Sequence, residues 1–98
     1  MAWRRSQEEL ERQKLMSLVR QIPEGSSRSV FVENETYTFF RSKKQFSVQN
    51  GSGPLTLSEQ GFVYDKRGYR GPLFSEQPTR QLTDAYRQAR AQLAANDL

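Results

Sequence analysis

The segment from residue 29 to residue 74 constrains the fold most, because turn signals interrupt it every few residues. These signals are short runs containing Gly, Pro, Asn, Asp or Ser, at residues 34–35, 42–44, 50–54, 58–61 and 65–68. Between them, segments such as TYTFFR at 36–41 are rich in the β-branched and aromatic residues typical of strands. Parallel strands would need crossovers of a dozen or more residues. The spacing therefore predicts five to six short strands in an antiparallel meander.

The last predicted hairpin carries several charges. Asp65 and Gly68 predict a turn over residues 65–68, with Gly68 in the left-handed region. Residues 69–74 then return as a final strand, and Pro72, which has no backbone donor, restricts this strand to a sheet edge or strand end.

Helical periodicity flanks the strand segment on both sides. Residues 6–22 place apolar residues at helical spacing, with Ser6 and Glu9 as a capping box. This first stripe consists of Leu10, Leu15, Leu18, Val19 and Ile22. Residues 78–95 carry a second stripe, which consists of Leu82, Ala85, Tyr86, Ala89 and Leu93. The small alanines of the second helix suit close contact with another helix, within the chain or across a dimer.

The fold class predicted for residues 1–98 is a single α+β domain, in which an antiparallel sheet over residues 29–74 is flanked by an N-terminal and a C-terminal helix. Both helices are expected on one face of the sheet. The predicted core consists of Leu15, Leu18, Phe39 or Phe40, Phe46, Leu57, Phe62, Leu82, Tyr86 and Leu93.

Composition removes several kinds of chemistry. The chain has no cysteine and no histidine, which excludes thiolate zinc sites, thiol nucleophiles and the commonest general base. The carboxylates are scattered, and Glu8, Glu9 and Glu11 have the pattern of a solvated first helical turn. The glycines match neither of the common phosphate-binding motifs. We therefore expect no enzyme activity, no cofactor and no metal.

Positive charge concentrates in the middle of the chain. The net charge is +4, and residues 41–70 alone hold six cations against Glu59 and Asp65, which also gives +4. The two basic segments, RSKKQF at 41–46 and YDKRGYR at 64–70, place cations beside aromatic rings. Cations that neutralise phosphates beside rings that stack on bases are a feature of single-stranded nucleic-acid binding. The same residues are also explained by aromatic rings buried in the core and by charges that keep hairpin tips soluble, and this structural interpretation outweighs the nucleic-acid one.

The expected function is a small non-enzymatic binding module, an adaptor or regulator that docks a larger protein. The predicted docking surface consists of Arg41, Lys43, Lys44, Lys66, Arg67, Tyr69 and Arg70. The alternative is a protein that binds single-stranded DNA or RNA with the same surface. Neither a signal peptide nor a membrane span is predicted. The absence of cysteine suits the cytoplasm. The oligomeric state is left open.

Overall fold

The computed structural model describes residues 2–43, 45–51, 53–64, 72–74 and 79–96, with backbone alone for residues 2–6, 79 and 96. In chain order the elements are α1 (Ala2–Val19), β1 (Ser27–Val32), β2 (Glu35–Arg41), β3 (Phe46–Asn50), β4 (Gly53–Leu57), β5 (Val63–Tyr64) and α2 (Thr79–Asn96). The strands form one five-stranded antiparallel sheet in the order β1-β2-β3-β4-β5. The predicted α+β class and the meander are confirmed.

The turn between β1 and β2 consists of Glu33 and Asn34, one residue earlier than the sequence predicts. Val32 pairs with Glu35, so the connection has two residues. Glu33 and Asn34 both adopt left-handed φ angles, 47° and 72°. Such a turn matches the twist of the flanking strands, and it forms here without glycine.

The prediction that residues 69–74 form an antiparallel strand is wrong for Phe74, the last residue of that range. Phe74 forms an isolated parallel bridge with Val63 of β5. The Phe74 ring packs edge-on against Tyr37, with the centroids 6.3 Å apart, and the Leu73 amide donates to Tyr37 Oη at 3.4 Å. Core packing against Tyr37 therefore positions Phe74. The turn predicted over residues 65–68 lies outside the described residues.

Helix α1 differs from its predicted form in both extent and face. It begins at Ala2, so Ser6 lies inside the helix and cannot cap it, and it ends at Val19. Leu10, assigned to the apolar stripe, is 44% exposed, whereas Glu11 and Arg12 are buried. The reason is that these charged residues share the helix face that turns toward α2 and the turn after β4.

The buried apolar side chains form one cluster built from both helices and one face of the sheet, which confirms that the helices cover the same face. Its members are Leu15, Met16, Val19, Ile22, Val30, Val32, Tyr37, Phe39, Val48, Val63, Leu73, Phe74, Leu82, Ala85, Tyr86, Ala89 and Leu93.

Most of the predicted core belongs to this cluster or packs against it. Leu18, Phe46 and Leu57 are half-buried at its margin. Phe62 is outside it, because the alternation along β5 turns Val63 inward instead. Along β2 the inward residue is Phe39 and not Phe40. Within the described part of the chain, no helix is long and apolar enough to cross a membrane.

Candidate functional site

A charged cluster occupies the contact between the two helices. Arg90 Nε of α2 donates to Glu11 Oε1 of α1 at 2.8 Å, and Arg87 Nε lies 3.6 Å from Glu11 Oε2. Arg87 also lies 3.7 Å from Asp84 on its own helix. The Glu11 side chain is only 6% exposed, so its charge depends on these arginines and not on water. Glu11 thereby joins α1 to α2.

Arg12 makes a second connection, from α1 to the turn between β4 and β5. Its guanidinium pairs with Glu8 one helical turn earlier, and its Nε donates to Gln60 O at 2.9 Å. The guanidinium carbon lies 4.0 Å from the centroid of the Phe62 ring. A cation over an aromatic face is attracted by the negative charge of that face. One side chain thus contacts three partners and holds the turn against the helix.

These contacts correct the prediction that the acidic residues near the start of α1 are all solvated. Glu8 and Glu11 are 8% and 5% exposed, and only Glu9, which accepts a 3.3 Å hydrogen bond from Gln13, lies on the exposed side. The carboxylates of Glu8 and Glu11 are engaged by arginines, which indicates a structural role. Among the residues that the structure describes, no group of acidic side chains could hold a metal ion.

Tyr86 lies fully buried beside this cluster. Its Oη has no hydrogen-bond partner, and the residue is 0% exposed. Burial raises the pKa of Tyr86 above its ordinary value; the Glu8 carboxylate adds to the rise and the Arg12 guanidinium opposes it. The phenol is therefore neutral at physiological pH and acts as core packing with an unsatisfied hydroxyl.

A groove with two adjoining lobes runs along the exposed side of α1. Each lobe has a volume of about 620 Å³, and Met16, Arg20 and Glu59 line both. The first lobe extends along α1 toward Glu9, and the second extends to Phe46 at the start of β3. Three segments that are distant in sequence build this groove, so no local pattern could have indicated it.

The second lobe has an apolar floor within a polar and charged lining, whereas the lining of the first lobe is polar or charged apart from Met16. Met16 is 4% exposed, and Phe46 and Leu57 are half-buried against the core. At the rim, Arg20 Nη2 donates to Glu59 O at 3.3 Å. An apolar floor inside a polar rim is the arrangement found in protein interfaces.

Arg41, the first residue of the predicted docking surface, has a structural role. Its Nη1 donates to Ile22 O at 2.9 Å and to Arg20 O at 3.1 Å, and its guanidinium lies 5.4 Å from the Phe46 ring centroid. These bonds satisfy carbonyls that the end of α1 leaves without helical partners. Arg41 therefore connects α1 to the sheet beside the groove.

Lys43 is the one other residue of the predicted surface that lies in the described ranges, and it is exposed in the turn between β2 and β3. This turn adjoins the second lobe of the groove, whose lining includes Gln45 and Phe46. The remaining residues lie outside the described part of the chain, and their role stays a prediction: Lys44, Lys66, Arg67, Tyr69 and Arg70. Val63 pairs with Leu57 and Tyr64 with Thr56 at the end of β4, so β5 lies toward the same end of the sheet as the turn between β2 and β3 that holds Lys43.

On the sheet face turned away from the helices most described residues are exposed, and we call it the open face. It carries hydroxyl, amide and aromatic side chains and no charge. Its residues are Ser27, Ser29, Phe31, Thr36, Thr38, Phe40, Ser47, Gln49, Pro54 and Thr56. Ser29 Oγ and Thr38 Oγ1 are hydrogen-bonded to each other across β1 and β2 at 2.9 Å.

Comparison with protein-family models, with curated proteins and with solved structures finds no match for this chain. The functional conclusion therefore depends on the geometry and chemistry of the residues themselves.

Proposed function

We propose that this protein is a small non-enzymatic binding module, an adaptor or regulator that docks a larger protein in the groove along α1 and on the neighbouring basic segment at 41–44. The observation that carries the proposal is the apolar floor of the second lobe of the groove inside a polar and charged rim, next to the exposed Lys43. Cytoplasmic location is part of the proposal, and the absence of cysteine supports it.

The groove favours a partner segment with one apolar anchor. Met16, Phe46 and Leu57 offer an apolar floor that such a side chain can cover, and buried anchors of this kind dominate binding energy. Arg20 at the rim and Lys43 in the adjoining turn favour an acidic residue beside the anchor. Complementary charge at a rim raises the association rate and selects among partners.

A protein partner is favoured over nucleic acid by the positions of the described cations. Arg41 uses its guanidinium on the carbonyls of Arg20 and Ile22, which removes it from phosphate binding. The exposed aromatic side chain of Phe31 lies on the open face. Stacking platforms for single strands combine exposed rings with cations that follow the backbone, and the pairing partner of Phe31 on β2 is the uncharged Thr36.

The lack of catalytic activity is supported by the state of the carboxylates. A general acid or base must reach a substrate proton. Glu8 is paired with Arg12, and Glu11 is paired with Arg87 and Arg90 between the helices. With histidine and cysteine absent from the chain, these pairs leave the buried carboxylates to stabilise the fold.

The proposal is tested by capture of partners from native lysate, with and without nuclease, using four proteins. These are the parent, the groove variants Arg20→Glu and Lys43→Glu, and the control Arg80→Glu, an exposed charge reversal on α2, which contributes no residue to the groove. We expect a protein that stays bound after nuclease treatment, about tenfold weaker binding by each groove variant, and parent-like binding by the control. Thermal melting of all four verifies that the fold is intact.

Two results would contradict the proposal. Loss of the partner on nuclease treatment would identify a nucleic-acid ligand, and its affinity would then fall steeply with salt. Parent-like capture by both groove variants would remove the groove from the interface. The double variant Lys66→Ser with Arg67→Ser tests the second basic segment separately. We expect it to bind about tenfold more weakly if either cation makes a charge-assisted contact.

A further inference from the structure

The edge of the sheet at β1 carries a sequence that favours strand pairing. Among the described strands, β1 is first in the sheet order and has a paired neighbour on one side only. Residues 29–32, Ser-Val-Phe-Val, are uncharged, and the Phe31 side chain is 56% exposed. An uncharged edge strand rich in β-branched and aromatic residues is a template for pairing with a strand of another molecule. The folded protein therefore needs to protect this edge.

The strand register determines which backbone groups of β1 point away from β2. The Ser26 carbonyl accepts a hydrogen bond from the Arg41 amide, and Val32 pairs with Glu35 across the two-residue turn. Hydrogen-bonded positions alternate along an antiparallel strand. Phe31 lies between two such positions, so its amide and carbonyl are directed outward at the edge of the sheet.

Gln92 of α2 occupies this outward position with its side-chain amide. The Phe31 amide donates to Gln92 Oε1 at 2.7 Å, and Gln92 Nε2 donates to the Phe31 carbonyl. A residue of a neighbouring antiparallel strand would form the same two bonds with its own backbone. The side chain of Gln92 thus takes the place of one residue of an additional strand.

We propose that Gln92 guards the β1 edge against strand pairing, and that the strand it keeps out is β1 of a second copy of this chain. Two copies related by a two-fold axis bring identical edges together with their strands antiparallel. Residues 29–32 then meet without repulsion between like charges. The antiparallel arrangement also brings Arg28, before this segment, toward Glu33, after the same segment in the second copy, and opposite charges favour the pairing.

The two bonds of Gln92 are poorly suited to a purely structural role. Both are exposed to solvent, where a hydrogen bond adds little to stability. Helix α2 is already held on the sheet by its buried apolar stripe, which includes Leu82, Tyr86 and Leu93. A structural role predicts that substitution of Gln92 changes stability alone, whereas a guarding role predicts that it changes association.

Three variants separate the two roles. Gln92→Leu removes both bonds and leaves the edge uncharged. Gln92→Lys cannot accept a bond from the Phe31 amide, and it places a charge at the edge, which blocks pairing by other means. Gln81→Leu is the control, because it makes the same change at an exposed position about three turns earlier on α2.

Hydrogen exchange of the Phe31 amide and analytical ultracentrifugation are measured at about 10 μM and about 500 μM, a range that covers weak association. We expect Gln92→Leu to exchange this amide at least about tenfold faster than the parent at the lower concentration. At the higher concentration its mass should rise from 11.4 kDa toward twice that value while the exchange slows again. Gln92→Lys should exchange quickly at both concentrations without this rise, and Gln81→Leu should behave like the parent.

The inference is overturned if the mass of Gln92→Leu and the exchange of its Phe31 amide do not depend on concentration. It is also overturned if Gln92→Lys associates as strongly as Gln92→Leu, because the contact then lies elsewhere. Melting curves accompany both measurements, and a Gln92→Leu protein that no longer folds would assign Gln92 the structural role instead. The β1 edge contributes no residue to the groove, so the outcome is independent of the proposed docking function.

Discussion

Glu11 of α1 and Arg90 of α2 form an ion pair at 2.8 Å that joins the two helices, and Glu11 is the more deeply buried partner. Its side chain is 6% exposed against 30% for Arg90. Removing Glu11 and removing Arg90 should therefore lower the stability of the protein by different amounts. An unpaired Arg90 can be hydrated, whereas the side chain of an unpaired Glu11 would be largely without water.

The first prediction concerns the stability that Glu11 contributes. Glu11→Gln keeps the size of the side chain and removes its charge. We expect a loss of about 1 kcal/mol in the free energy of unfolding, because the charge-assisted bond from Arg90 becomes a weaker neutral one while the arginine can be hydrated. The control Glu9→Gln changes the same residue type on the exposed side of α1 and should stay within about 0.5 kcal/mol of the parent. Urea denaturation measures both. Equal effects of the two substitutions would show that burial of Glu11 does not matter.

The second prediction concerns the close approach of α1 to Gly61. A Cβ at Gly61 would lie 2.5 Å from Met16 Cγ and 2.9 Å from Arg12 Cγ, and its φ is +98°. We expect Gly61→Ala to cost about 1–3 kcal/mol from overpacking, in addition to the backbone strain.

Substitutions at Gly25 and Gly51 allow the steric contribution and the backbone contribution to be measured separately. A Cβ would meet nothing within 4 Å at Gly25, where φ is +81°, or at Gly51, where φ is not in the left-handed region. Gly25→Ala should therefore show the backbone cost alone, about 1 kcal/mol, and Gly51→Ala should show little change. Thermal melting ranks the three variants. A Gly61→Ala protein no less stable than Gly25→Ala would mean that α1 does not pack on Gly61.

The third prediction follows from the unsatisfied hydroxyl of Tyr86. Tyr86→Phe removes a buried group that has no hydrogen-bond partner, so at pH 7 we expect a free energy of unfolding equal to that of the parent or about 1 kcal/mol higher. Denaturation at pH 7 measures this difference. A clear destabilisation would show that Oη is hydrogen-bonded in solution.

The same substitution should change the response to alkali. The folded protein holds the Tyr86 proton because burial raises its pKa, whereas the unfolded chain releases it near the ordinary value of 10.0. Above about pH 10 the unfolded state thus binds fewer protons, and stability falls as pH rises. Tyr86→Phe removes this contribution, so its stability advantage over the parent should grow above pH 10. An advantage independent of pH would contradict the raised pKa.

The fourth prediction compares two leucines that the sequence assigns to apolar helix stripes. Leu82 of α2 is 2% exposed and Leu10 of α1 is 44% exposed. Leu82→Ala should cost about 2–5 kcal/mol, as truncation of buried leucines does, and Leu10→Ala should cost less than about 1 kcal/mol. Denaturant titration of the two variants is the measurement. Similar losses at both positions would mean that Leu10 is buried in solution.

Features that depend on neighbours in the chain were predictable from the sequence. Closely spaced turn signals leave no room for crossover connections, which is sufficient to specify the antiparallel meander. The stripe of α2 from Leu82 to Leu93 is buried as predicted, because helical periodicity alone brings those residues to one side. The alternation along β2 likewise separates Tyr37 and Phe39 from the open face.

Features that depend on contacts between distant segments were decided by the tertiary structure alone. In the sequence Glu11 has the pattern of a solvated residue, but in the folded protein it is buried against Arg87 and Arg90 of α2. Leu10 fits the apolar stripe of α1 in the sequence, but in the folded protein it is exposed. The groove likewise exists only because α1 contacts the turn after β4. Periodicity indicates which residues share a face of a helix or strand. The partner that makes burial of a charged residue favourable is distant in the sequence, so only the folded structure brings the two together.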